Sequence, residues 1–373
     1  MVYKRTAFEA LPWVAGPVPC SDHESEGTIK GIQRMTIQTA VVLSGDIGGT
    51  KTNLAVFSSE SGLSTSLAEA TFASRDYSSL EVIVREFLSR VKIKVDRASF
   101  GVAGPVVNGQ ARITNLPWVL DEKQMADSLG LSRVHLMNDL LALAHAVPQL
   151  EPKDLLTLNR GRTVPGGAIA VVAPGTGLGE AYLTWDGTRY RAHPSEGGHA
   201  DFAPANALEA RLLLHLLNRF KHVSTERVCS GMGLTNIYAF LKEHKEGEEP
   251  DWLAEQLTAV RDSVPVIVNA ALDEDRPCRL CQATLNMFVS ILGAEAGNLA
   301  LKMLASGGIY LGGGIPPRIL PALQKGPFME AFRHKGRMSG LMEDIPVHMI
   351  LNPRVALMGA ACHGLWPLTC ENV

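Results

Sequence analysis

Apolar positions along this chain alternate or run together over short stretches and recur at helical spacing over longer ones, and the two habits mark out the predicted elements. Between Thr39 and Phe72 the runs Val41–Gly45, Asn53–Phe57 and Ser66–Thr71 predict a β-meander. Leu80, Ile83, Val84, Phe87, Leu88 and Val91 fall on one helical face, with Ser78 or Ser79 placed to cap it. Further strands are predicted at Ala98–Val102, Val134–Met137, Gly167–Ala173, Ala181–Thr184, Gly308–Leu311 and Ile345–Leu351, with short ones between 110 and 120. Further helices are predicted from an Asp121 cap to Leu129 and from Asp139 through Val147. Others follow at Ala207–Phe220, Leu234–Leu241, Trp252–Val260, Val264–Leu272 and Leu280–Leu304, after Pro316-Pro317, and over Pro353–Gly364. Residues 1–37 carry three prolines and a polar run with no period, so a loosely packed extension is expected there, with Met35 as an alternative start.

Twice, a strand runs into a short Gly/Thr turn and a second strand resumes at once. The first case is Ser44-Gly-Asp-Ile-Gly-Gly-Thr-Lys-Thr-Asn-Leu-Ala-Val-Phe57, and the second surrounds Pro174-Gly-Thr-Gly-Leu-Gly179. Neither is a Walker loop or a dinucleotide fingerprint, since those open a helix. A hairpin of this kind exposes backbone N–H groups, here of Gly48, Gly49 and Thr50, to an anion. Asp46, just before the turn, is placed to act near a metal. Lys51 is read as a solvent-facing hairpin position. Asn138-Asp139 stands where a buried strand meets a helix start, the place where open α/β sheets bind ligands; Asp139 could equally cap that helix.

Composition narrows the classes. Apolar residues make up 46% of 373 residues and charged ones 20%, at a net charge of −3. That balance describes a globular chain with two lobes or one large α/β domain, and offers no electrostatic case for nucleic acid or an anionic membrane. No apolar run reaches the ~20 residues of a membrane span. The start is no convincing signal peptide, so a cytoplasmic enzyme is expected. Cys278-Arg-Leu-Cys281 lacks the second pair of a zinc site, and Gly197-Gly198 makes His193, Glu196 and His199 a loop rather than a metal-binding helix face.

The two hairpins, the Asn-Asp strand end and Tyr310-Leu-Gly-Gly-Gly-Ile315 together resemble the sugar kinase, actin and heat-shock-70 ATPase superfamily. Ser195-Glu-Gly-Gly-His-Ala-Asp-Phe-Ala-Pro204, Glu226-Arg-Val-Cys-Ser-Gly231 and Leu136-Met-Asn-Asp139 narrow the resemblance to the bacterial-type ATP-dependent glucokinases over residues 39 to 365. The resemblance implies an α/β, two-lobed, actin-like ATPase fold of the ribonuclease-H type, with mixed sheets flanked by helices and an interdomain cleft. It implies a small lobe of residues 38–149 plus 345–373 and a large lobe of 150–344, hinged near Gly101–Pro105 and Gly359–Ala361 and closing over glucose.

It also implies phosphorylation of the glucose 6-hydroxyl by ATP, entering glycolysis. Asp139 would be the general base; Asn138, Asp139, Glu196, His199 and Glu226 would hold the sugar. Asp46 would orient Mg²⁺ through water. Gly48, Gly49, Thr50, Gly175, Thr176 and Gly177 would cradle phosphates, and Gly312 and Gly313 would lie against the nucleotide. The family further implies a homodimer. Another hexose such as mannose, ADP or polyphosphate as donor, and a catalytically silent sugar-binding regulator on the same scaffold all stay open. The intact Asp139 speaks against the last.

Overall fold

The computed structural model describes residues 40–113 and 116–365. The expected extension at 1–37 with its alternative start at Met35, residues 114–115 of the expected short strands, and the tail from 366 lie outside them. The first half carries strands β1 (Val41–Ile47), β2 (Lys51–Ser58), β3 (Ala68–Ala73), β4 (Arg97–Val102), β5 (Val106–Val107), β6 (Gln110–Arg112), β7 (Val119–Asp121) and β8 (Arg133–Asn138). Its helices are α1 (Leu80–Val91), α2 (Glu122–Leu129) and α3 (Asp139–Ala146). The second half carries β9 (Leu155–Asn159), β10 (Ile169–Pro174), β11 (Leu178–Trp185), β12 (Tyr190–Ser195), β13 (Gly308–Leu311) and β14 (Val347–Ile350). Its helices are α4 (Ala207–Leu217), α5 (Gly231–Glu243), α6 (Asp251–Thr258), α7 (Val264–Leu272), α8 (Arg279–Met303), α9 (Leu320–Gln324), α10 (Pro327–Arg333), α11 (Ser339–Asp344) and α12 (Val355–Leu365).

The strands build two large sheets on one plan. The first is ordered β3-β2-β1-β4-β8 and the second β12-β11-β10-β13-β14-β9, beside a small β5-β6-β7 sheet. In each large sheet a central strand pairs antiparallel with its hairpin partner and parallel with a strand on its other side: β1 with β2 and β4, β10 with β11 and β13. The central strands read as continuous apolar runs because helices cover them, as expected of a parallel core. Val42, Leu43, Ala170, Val171 and Val172 have no exposed surface.

The helices follow their apolar stripes. α1 begins and ends where the spacing predicts, burying Leu80, Ile83, Val84 and Phe87, and it stops at Lys92 in the left-handed region. Ser79 stands at its N-cap without a side-chain hydrogen bond, so burial rather than capping carries this helix. Asp121 does cap α2, accepting the Gln124 amide. α8 is apolar on most of its circumference and runs through the larger core against α5, α7 and α10. Among the described residues, no helix is long and apolar enough to cross a membrane.

Connectivity departs from expectation at the end of the chain. β14 pairs in parallel with β13 inside the six-stranded sheet. The chain therefore returns to the first sheet only with α12, which packs on α3, β1 and β4, rather than at residue 345. An apolar strand cannot be assigned to one of two similar sheets from its own pattern, because both offer it the same environment. α3 touches β4 and β8 on one side and β11 and β12 on the other, so it joins the two sheets.

Candidate active site

Both hairpins turn at the same end of their sheets. In the first, Ile47 pairs with Thr52 and the Gly48 N–H closes the turn on the Lys51 carbonyl at 2.9 Å. That amide is therefore committed within the turn, a correction to the expectation that all of Gly48, Gly49 and Thr50 would offer N–H groups to an anion; tight closure of the turn needs one of them. Ser74 braces the turn, its Oγ donating to the Gly48 carbonyl at 2.8 Å and its N–H to the Thr50 carbonyl at 3.0 Å. Thr50 and Lys51 are exposed. The second hairpin repeats the device, the Gly175 N–H closing on the Gly177 carbonyl at 2.8 Å, with Thr176 exposed at the tip.

Asp46 lies one residue before the end of β1, level with Gly101 of β4 and Met137 of β8. A methyl group at Gly101 would lie 3.6 Å from the Asp139 Cα, so the strand ends bring Asp46 and Asp139 to one mouth. Burial raises the pKa of both carboxyls; Asn53 donates to Asp46 at 3.3 Å and holds it down somewhat, while the charge of Asp46 pushes Asp139 further up. Two like charges drawn out of water disfavour ionisation unless a cation joins them. The N-cap of α3 is Asn138, not Asp139: Asn138 Oδ1 accepts the Leu140 amide at 3.0 Å and its Nδ2 donates to the Gly104 carbonyl at 3.2 Å. Asp139 is the first residue of the helix and also accepts from the Leu140 amide, leaving its second oxygen outside that bond.

The sugar-loop residues come from the second sheet. Glu226, in a short 3₁₀ turn at 225–227, accepts the Leu178 amide at 3.0 Å through Oε2. Glu196 precedes and His199 ends the 3₁₀ turn at 197–199 that follows β12, with His199 Nε2 3.7 Å from Glu196 Oε2 and both side chains exposed. The two segments are sewn together by the Thr225 N–H on the Ala200 carbonyl at 2.9 Å and the Phe202 N–H on the Val223 carbonyl at 3.0 Å. Leu140, the neighbour of Asp139, reaches across to Gly179 of β11. Asn138, Asp139 and Glu226 are half-buried and Glu196 and His199 exposed, and Leu140 against Gly179 and Glu226 against Gly177 bring the start of α3 and Glu226 to the same hairpin.

The Gly312–Gly314 turn after β13 lies against the second hairpin. Gly313 has φ +82°, and a side chain there would meet the Pro174 carbonyl oxygen at 2.5 Å, so only glycine fits. The Ile315 N–H donates to that same carbonyl. Sequence reasoning missed Ser74 and Leu178, whose parts are played by a backbone or hydroxyl brace that has no motif. Glu180, buried on β11, likewise belongs to no motif.

Two sheets of one plan, each with a glycine-rich hairpin on its central strand and joined by the helix that starts at Asp139, define a sugar kinase of the actin-like ATPase fold. The chain belongs to the glucokinase family, whose model matches residues 43–365. It is 43% identical to the glucokinase of Nostoc punctiforme over 336 residues, 86% of this chain and 98% of that protein. It is similar in structure to a glucokinase from an Antarctic psychrotroph, with a TM-score of 0.74 and 33% identity over 87% of this chain and 99% of the other. A ROK family glucokinase from Streptomyces griseus, solved in complex with glucose and AMPPNP, shares the fold at a TM-score of 0.56 and 20% identity, covering 87% of this chain and 98% of that one.

Proposed function

We propose that this chain transfers the γ-phosphoryl group of ATP to the 6-hydroxyl of glucose, with Asp139 as general base. The observation that carries the reading is the place of Asp139: at a strand end and helix start, half-buried beside Asp46, with its carboxyl held above the usual range by burial and by that neighbour. A carboxylate of raised basicity suits a hydroxyl that becomes acidic only as its bond to phosphorus forms, and a positioned base contributes ~10²–10⁴-fold. Asn138, Glu226, Glu196 and His199 would pair with sugar hydroxyls, and an analogue lacking one would leave a polar group unpaired.

The hairpins at 48–50 and 175–177 would cradle the phosphates, and the turn at 312–313 would lie along the nucleotide. A hard cation fits the mouth, because two adjacent carboxylates with raised pKa values are the oxygen donors Mg²⁺ takes. Asp46 would hold it through water, and the ion would supply charge neutralisation to the phosphate oxygens. A small lobe around the five-stranded sheet, a large lobe around the six-stranded one, a homodimer and a cytoplasmic place in glycolysis complete the proposal.

The test is ATP-dependent phosphorylation across a panel of hexoses, mannose included, with wild type and Asp139→Ala side by side and ADP and polyphosphate as alternative donors. Best turnover of glucose, with a loss of ~10²-fold or more in the variant, supports the assignment. Wild type that binds glucose but forms no phosphate ester with any donor would make the protein a sensor on a kinase scaffold.

A further inference from the structure

Behind the sugar loop lies a second carboxyl pair that the phosphotransfer does not use. Glu180 of β11 is 2% exposed and Glu295 of α8 is 6% exposed. Glu180 Oε1 and Glu295 Oε1 are both buried and neither accepts a hydrogen bond from a donor group. The remaining oxygens are engaged: Asn298 Nδ2 donates to Glu295 Oε2 at 3.0 Å, and Glu180 Oε2 packs beneath Gly197, where a Cβ would fall on it. Glu180 also pairs across the strands with Ser195, whose Oγ accepts the Gly197 amide at 3.0 Å. Glu180 is therefore in contact with the turn that carries Glu196 and His199.

Two acceptor-only carboxylates cannot face each other out of water; one proton between them turns the repulsion into a hydrogen bond. The other charged and titratable groups nearby do not remove the conflict. The Lys302 ammonium reaches only 4.0 Å from Glu295 Oε1 and is largely in water. Lys335 is occupied by the Ala294 carbonyl and Asn298 Oδ1, with Glu209 beyond it. The Cys229 thiol, wholly buried beside the pair, is pushed up by burial and by both carboxyls, so it stays neutral.

We propose that Glu180 and Glu295 share one proton, and that this neutral pair is a positioning device holding the 196–199 turn in its sugar-binding arrangement. The proposal rests on the assignment of that turn to the sugar. Burial and the charge of Glu295 push the Glu180 carboxyl up to about 7, which places loss of the proton in the neutral to mildly alkaline range. When it leaves, two buried negative charges repel directly beneath Gly197. The consequence is a glucose KM that climbs with pH while kcat changes little, because the pair lies behind the sugar turn and not at the phosphoryl-transfer centre.

The experiment measures kcat and KM for glucose at pH 6.5 and 8.5 in wild type, Glu180→Gln and Glu295→Gln, together with the infrared carbonyl band of a protonated carboxyl. In wild type, KM should rise about tenfold between the two pH values, with kcat within about twofold. The carboxyl band should be present at pH 6.5 and fade by pH 8.5. Either glutamine variant, able to donate where the shared proton did, should keep the low KM at both pH values and lack the band. A flat wild-type KM, a pH dependence that survives in both variants, or no such band at pH 6.5 overturns the proposal. If neither variant folds, the wild-type KM and band still decide it. If wild type fails to phosphorylate glucose at either pH, the phosphotransfer reading has failed instead, and the band reports on the proton independently.

Discussion

Glu226 Oε2 accepts the amide N–H of Leu178 at 3.0 Å, and Leu178 is the first residue after the Gly175–Gly177 turn. A carboxylate assigned to the sugar is thereby fastened to a turn assigned to the phosphate. Replacing Glu226 by Gln would put an amide where both a backbone donor and a sugar hydroxyl need an acceptor. The expected outcome is a loss in kcat/KM for glucose of about tenfold to a hundredfold, the scale of one or two charge-assisted hydrogen bonds. The ATP KM should move as well, because the turn loses its anchor. Steady-state kinetics with each substrate varied would show this; an unchanged ATP KM would uncouple the two sites.

Asp139→Asn keeps the size and most hydrogen bonds of the side chain but cannot take a proton. It should lower kcat by ~10²–10⁴-fold while leaving the affinity for glucose within a few-fold. Calorimetric titration of glucose into the variant separates the two effects. Loss of binding equal to the loss of kcat would demote Asp139 to a sugar ligand.

Gly313→Ala forces a side chain into φ +82° and against the Pro174 carbonyl. Strain of this kind costs ~1–3 kcal/mol. A lower melting temperature and a raised ATP KM, with the glucose KM unaffected, are expected from thermal scans and kinetics. An alanine variant as stable as wild type would show that the turn can rearrange.

A histidine cluster should govern acid stability. His363 stacks on His135 with ring centroids 4.2 Å apart, and His145 lies 5.1 Å from His363. Burial, then the neighbouring positive charges, depresses His145 to about 4 and His363 to about 3. A folded pKa below the unfolded 6.5 means a stability contribution present above pH 6.5 and lost as pH falls below it. By pH 5 each histidine costs up to about 2 kcal/mol. The raised carboxyl of Glu180 acts with the opposite sign: its contribution is full below about 4.5 and is lost as pH rises toward 7. The raised carboxyls of Asp46 and Asp139 act with the same sign as Glu180, so the histidine effect is read as the difference between wild type and His145→Gln. Chemical denaturation at pH 7 and pH 5 should show it, with a shallower pH slope in His145→Gln.

Closure of the lobes over glucose predicts a smaller radius of gyration by solution scattering at saturating sugar, with hinges near Gly101–Pro105 and Gly359–Ala361. No compaction at saturating glucose would count against closure of the lobes.

Much of the site was legible because its parts are local. A glycine turn between two strands, a polar pair after a buried strand and a Glu-Gly-Gly-His loop each show in a few consecutive residues, and the limits of α1 and α2 follow from their apolar faces. β9 and β12 were not legible. Both are edge strands, β12 is broken by Arg191 and Pro194, and neither needs the two-sided apolar pattern of an interior strand. α10 and α11 are short and follow turns rich in glycine and charge, so their period is too brief to read.

By itself the sequence determined the hairpins, the main helices and the residue types at the mouth, because turn chemistry and apolar period act over a few residues at a time. Only the tertiary structure decided that β14 joins the second sheet, that the Gly48 amide closes its own turn and that Asn138 rather than Asp139 caps α3. It alone placed Leu178 under Glu226 and Glu180 against Glu295. Glu180 and Glu295 stand on a strand and a helix far apart in the chain, and nothing in the neighbours of either foretells the other. Their meeting is set by how α8 packs against the second sheet.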